Sequence, residues 1–208
     1  VLWFSVPVKV LPESEVGFVL LLINEIALGF LIGFICYIIF SAIQSAGDFI
    51  DLQMGMSIAS AFDPATSSII TIIGRLCLYI AMTIFLIING HHLILSAVHQ
   101  SFRVMPIGSY LNISGNIILQ LISLGSVMLY TALQLASPAI LLIFISDFSF
   151  GIVSRVAPQV NVFMLGFQVK PTLGFLAIIF SLPFFINRIS IMVSQMAQEL
   201  AKLFLFIK

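Results

Sequence analysis

Three groups of residues in this chain are of types that could do chemistry. His91-His92 with His99 offers imidazoles for a metal ion. Zinc chemistry needs three or four ligands at set spacing, and neither an HExxH pair nor a cluster of Cys or carboxylates accompanies these histidines. Paired histidines beside an apolar run read instead as interfacial residues. Asp48 and Asp51 offer two carboxylates. An intramembrane aspartyl protease would need its pair on separate elements that face each other across a gap. Three apart in one segment and next to Gly47, these two read as capping and interfacial charges. Gly55-Met56-Ser57-Ile58-Ala59 stops one residue short of a G-x-S-x-G nucleophile elbow and lacks its strand-turn-helix setting. No phosphate-cradling loop occurs, and the chain is read as non-catalytic.

Two further charges, Glu25 and Arg75, sit inside apolar runs. A charge facing lipid is costly, so each needs protein, water or a counter-ion. Two classes of function remain open on these residues. One is a stand-alone secondary transporter or channel with Glu25 and Arg75 as coupling charges. The other is a non-catalytic subunit of a larger membrane assembly.

The elements that must position these residues follow from composition. Hydrophobic residues make up 61% of 208 and charged residues 8%, with a mean hydropathy of +1.23. Soluble domains carry about 25% charged residues, so this is an all-α, polytopic integral membrane protein. Eight basic and eight acidic residues balance, leaving no field to attract nucleic acid. Cys36 and Cys77 lie in apolar runs and read as small buried hydrophobes. No signal peptide is visible at the start.

A bilayer crossing needs about 20 apolar residues. Candidate crossings fall at residues 16–46, 69–89, 117–145 and, shorter, 172–186, all within one membrane domain covering 1–208. Pro138 and Pro183 predict kinks. Residues 187–208 predict an amphipathic tail. Its polar side carries Arg188, Ser194, Gln195, Gln198, Glu199 and Lys202, and its apolar side Val193, Met196, Ala197, Leu200, Leu203 and Phe204. In the first crossing, steps of four from Glu25 reach Gly29, Gly33, Tyr37, Ser41 and Ser45. Gly29 and Gly33 make a small-xxx-small pair suited to close helix packing, within this chain or on a partner subunit.

The connector 47–68 is unlike a solvent loop. It holds Asp48, Asp51 and Asp63 without a basic residue, yet interleaves Phe49, Ile50, Leu52, Met54, Met56, Ile58 and Phe62. Such a segment belongs against protein at or near membrane depth, as a re-entrant piece. Its acidity places it outside the cytoplasm by the positive-inside rule, and Arg103 places the next connector inside. Arg155 and Lys170 then fall in a connector that should be outside. The rule is self-consistent only if one of the four runs does not cross.

Four stretches in order carry a family resemblance. Asp51-Leu52-Gln53-Met54-Gly55-Met56-Ser57 with Phe62-Asp63-Pro64 resembles the FliR family of the flagellar export apparatus. Asn89-Gly90-His91-His92 agrees, as does Ser101-Phe102 with Pro106-Ile107-Gly108. Ala157-Pro158-Gln159-Val160-Asn161-Val162-Phe163 with Gly166-Phe167 completes the set. The injectisome homologues (the SctT, SpaR and YscT group) look more distant. Members of the family resembled ordinarily carry a further apolar segment before the position of Val1, so the sequence resembles a member without its first span.

The resemblance implies a fold of kinked, partly re-entrant helices that pack into a multi-subunit helical export gate, much of it raised toward the periplasm. It implies FliP-like, FliQ-like and FlhB-like partner subunits, unfolded exported proteins as substrates, and no cofactor. The location implied is the flagellar basal body in the bacterial inner membrane. By the same resemblance, residues 50–67 correspond to a plug in the pore. It would include Ile50, Leu52, Gln53, Met54, Gly55, Met56, Ser57, Phe62, Asp63 and Pro64. The chemistry agrees with that role. Met54 and Met56 are unbranched and adaptable around varied substrates, Gly55 frees the backbone between them, and an apolar constriction resists wetting.

Overall fold

A computed structural model of the chain describes residues 14–57, 71–109 and 115–207. The helices found there are α1 (Glu15–Met54), α2 (Ile72–Ile87), α3 (Gly90–Val104), α4 (Gly115–Val156) and α5 (Val162–Ile207).

Three of the helices are far longer than the apolar runs that mark them. α1, α4 and α5 have 40, 42 and 46 residues. At 1.5 Å per residue they measure about 60, 63 and 69 Å along their paths. The expected crossing 16–46 continues through Asp48 and Asp51 to Met54, so the first eight residues of the expected connector are helical. The run 117–145 extends to Val156. The expected connector before the fourth run is helical except for a short link at 157–161. The short crossing 172–186 and the amphipathic tail are one helix. Isolated polar residues did not end these helices, because a helix satisfies its own backbone wherever its side chains point.

Helix α4 runs through Pro138, and α5 through Pro171 and Pro183. Proline has no N–H to give the carbonyl four residues back. At Pro138 that carbonyl belongs to Gln134, and it accepts the Ser137 hydroxyl at 2.9 Å instead. The hydroxyl makes good the missing backbone donor.

The run 69–89 is the exception among the four. Helix α2 has 16 residues, about 24 Å, which is short of the ~30 Å hydrocarbon core. It is followed after a two-residue break by α3, and the pair is bent by 72°. Asn89 makes the bend with a left-handed backbone, φ 58°. Gly90 follows it, and a Cβ there would run into the Phe85 ring. Among the described residues, three helices are long and apolar enough to cross a membrane, or four if the bent pair is one broken span.

The described residues form two compact units. The first lies within Val1–Ile39, Phe85–Val127 and Ser190–Lys208. Its core includes Leu28, Ile35, Ile117, Leu124, Met196 and Leu203. The end of α5 is pinned to α4 there: the Gln120 amide donates to both the backbone carbonyl and the carboxylate of Glu199, each at 2.9 Å. Lys202 holds the other Glu199 oxygen at 2.6 Å. On the rest of the tail Val193, Met196, Leu200, Leu203 and Phe204 are buried, while Ser194, Gln198 and Lys202 are exposed.

The second unit comprises Phe40–Ile84 and Met128–Ile189. Its core is rich in small residues, Ala42, Ala46, Ala81, Ala132, Ala136, Ala139 and Ala177, beside Ile43, Ile50, Leu135, Ile143 and Phe185. Small side chains let helix backbones approach closely, which is the chief source of helix association in lipid.

Candidate functional site

The best-defined polar constellation lies in the second unit, where the last turns of α1 meet the start of α2. Gly47 makes the approach possible. A Cβ added to it would stand 2.6 Å from the Gly74 Cα and 2.7 Å from the Ile73 carbonyl oxygen, so only glycine fits. This places Asp48 and Asp51 over the first turn of α2, whose N–H groups have no partner within their own helix.

Thr71 caps α2, its Oγ1 accepting the Gly74 N–H at 2.9 Å. The Thr71 hydroxyl in turn donates to Asp48 Oδ1 at 2.7 Å. Asp51, only 2% exposed, accepts the Ile73 N–H on Oδ1 at 3.4 Å and the Ser57 hydroxyl on Oδ2 at 2.7 Å. Negative charge is favoured at a helix N-terminus. The two acids therefore do cap a helix, but it is α2 rather than their own.

Past Asp51, helix α1 ends at Met54, and Gly55 turns the chain with φ +78°. The Gly55 N–H still reaches the Leu52 carbonyl at 3.1 Å. A left-handed glycine just past the last turn is a usual helix terminator. Ile50 and Met54 are fully buried, and a Cβ on Gly174 would stand 2.5 Å from the Met54 sulfur. Leu52 is exposed, while Gln53, Gly55, Met56 and Ser57 are half-buried. Of the residues assigned to a plug, Phe62, Asp63 and Pro64 lie outside the described residues.

A cavity of about 430 Å³ opens beside this turn. Met54 and Gly55 line it from α1, Asp147 and Phe150 from α4, and Phe163, Gly166, Phe167 and Lys170 from α5. The Phe163 and Phe167 rings meet edge to face with centroids 4.8 Å apart. Asn161 begins α5 by accepting the Met164 N–H on its side chain at 3.2 Å. Pro158 and Gln159 are exposed in the short link. The structure thus gathers two of the family-like stretches, Met54-Gly55 and Phe163 with Gly166, around one cavity.

One member of this site was missed on the sequence. Lys170 bridges to Asp147 at 2.6 Å, the side chains being 27% and 35% exposed. The signal for the pair was one basic residue after the link and one acid before it, in otherwise apolar flanks. Arg75 is exposed and forms no ion pair among the described residues.

The other singled-out residues lie in the first unit. Gly29 and Gly33 are exposed, and a Cβ on either would meet nothing within 4 Å among the described residues. Tyr37 continues that open face. Glu25 Oε1 is shielded from solvent and has no hydrogen-bond partner among the described residues. Gly90 serves the bend already described, and the His91 and His92 rings lie 4.2 Å apart.

Residues 1–196 match the family described as bacterial export proteins, family 1. The flagellar biosynthetic protein FliR of Bacillus subtilis is 33% identical over 169 residues, which cover 80% of this chain and 65% of that protein. FliR of Escherichia coli is 32% identical over 170 residues, 82% of this chain and 65% of that protein. The Yop proteins translocation protein T of Yersinia pestis is 33% identical over 172 residues, 81% of this chain and 66% of that protein. The chain therefore spans about two thirds of the length of these relatives.

Proposed function

The chain belongs to family 1 of the bacterial export proteins, and from that premise we propose that it is a non-catalytic subunit of the flagellar type III protein export gate. In this reading it helps form and close the channel through which unfolded flagellar proteins leave the cytoplasm, in the inner membrane at the flagellar basal body. Its partners are FliP-like, FliQ-like and FlhB-like subunits.

The observation that carries the reading is helix length. A helix of 40 residues or more is about twice as long as the ~30 Å hydrocarbon core, and tilts of up to about 40° cannot absorb a twofold excess. Much of α1, α4 and α5 must then lie beyond the hydrocarbon. Yet exposed apolar residues continue along them, from Phe18, Ile26 and Phe30 on α1 to Phe144, Phe148 and Ile152 on α4 and Phe163 and Phe180 on α5. Apolar faces that are neither in lipid nor in this chain's core need other subunits to cover them. A raised, multi-subunit assembly supplies that cover.

Within it, Gly29 and Gly33 with Glu25 form a subunit-packing face, the glycines admitting a helix backbone and Glu25 a donor from the partner. Residues 50–67 form the plug, with Ile50 and Met54 as its buried root. Co-expression of the full-length protein with FliP- and FliQ-like subunits should yield one co-purifying complex. A purified protein that stays monodisperse alone and moves a small solute would overturn the proposal. A deletion confined to residues 58–66 spares Ile50, Asp51 and Met54 and should raise ion leak through the assembled complex. Wild-type conductance after that deletion would remove the plug from the proposal.

A further inference from the structure

Helix α1 ends at Met54 and α2 begins at Ile72, and residues next to both of these ends are held from one turn of α1. Asp51 is buried without a cation beside it among the described residues. A buried carboxylate persists only if its oxygens accept hydrogen bonds. The two bonds it receives come from opposite ends of the connector: Ser57 just after the Gly55 turn, and the Ile73 N–H in the first turn of α2. Losing either would leave a buried oxygen short of a donor, so the two attachments favour each other.

Asp48 adds a second tie on the return side only, through Thr71 to the Gly74 N–H. The Gly47–Gly74 approach leaves no space for the two helices to slide together further. We propose that Asp51 is the positioning residue of this connector. Its carboxylate ties Ser57, just past the Gly55 turn, to the first turn of α2, and so fixes Gly55 in the cavity lining, where Phe167 would lie 3.9 Å from a Cβ at Gly55. The consequence for ion leak rests on the plug reading above; the clasp itself does not.

The protein carries its own reporter. Cys77 lies four residues beyond Ile73, on the same face of α2, and is 1% exposed. With Cys36 replaced by Ser, alkylation of Cys77 by N-ethylmaleimide reads the return side in the full-length protein within its complex. Asp51→Ala should raise both the alkylation rate, by about tenfold for a lost buried acceptor, and the ion leak. Ser57→Ala cuts the departing arm directly and reaches the return arm only through the orphaned Asp51 oxygen; it should raise leak, and raise Cys77 alkylation less than Asp51→Ala does. Thr71→Val should do the reverse, exposing Cys77 with little leak.

The proposal is overturned if Asp51→Ala and Ser57→Ala complexes both assemble with wild-type leak and wild-type Cys77 protection. If Asp51→Ala does not assemble, Ser57→Ala decides: no added leak, where deletion of 58–66 leaks, overturns the clasp. If that deletion is silent while Asp51→Ala still exposes Cys77, the plug reading falls and the clasp stands.

Discussion

Gly47 and Gly29 lie on one helix in similar small-residue settings, yet their surroundings differ completely. A methyl group added to Gly47 would press on the Gly74 backbone at 2.6 Å, and one added to Gly29 would meet nothing within 4 Å among the described residues. Around Gly47 the carboxylates of Asp48 and Asp51 are satisfied by Thr71, Ser57 and Ile73. Near Gly29, Glu25 Oε1 has no partner among the described residues. One region of α1 has completed its contacts within the chain. The other presents the same kind of surface with nothing among the described residues packed on it, as a helix awaiting a neighbour would.

That contrast is open to direct attack, and the largest effect should come from the closed crossing. Gly47→Ala forces two backbones apart and should cost about 3 kcal/mol, the upper end for overpacking. Thermal loss of monodisperse protein in detergent would show it, and a variant as stable as wild type would mean the crossing is looser than described. The Asp147–Lys170 bridge should matter less. Both ends keep some solvent contact, so Lys170→Met should cost about 1 kcal/mol. The exchanged pair, with Asp147→Lys and Lys170→Asp together, should recover most of that loss; no recovery would assign the effect to packing of the lysine stem.

The smallest effect on the chain itself belongs to the open face. Gly29→Ala should stabilise the isolated protein by about 0.5 kcal/mol, because alanine is the better helix former and has space there. Gly29→Leu should also leave the chain folded but reduce co-purification with partner subunits severalfold. Unimpaired co-purification would show that this face is not where they pack.

Much of the architecture was legible in residue order. The apolar runs mark helices in chain order because they depend on side-chain type alone, whereas the Asn89-Gly90 bend and the Asn161 start of α5, which rest on local backbone and capping chemistry, were not expected from the sequence. Helix extent was not legible. Apolar runs stop at Asp48, Asp147 and Lys170, whereas α1, α4 and α5 pass through them: a helix satisfies its own backbone, and those charges have partners in the fold. The site was half visible: Met54, Gly55, Phe163 and Gly166 stood out as family-like stretches, but nothing in their order showed that they line one cavity.

Residue order alone thus determined the membrane class, the helical periodicity and the family, since all three depend on side-chain type and near-neighbour spacing. Only the tertiary structure decided which glycines are crossed and which are bare, and which carboxylates are bound. Gly47 meets Gly74, Asp48 meets Thr71 and Asp147 meets Lys170 across more than twenty residues of chain. Such meetings depend on how helices close on one another, and spacing along the sequence does not record that.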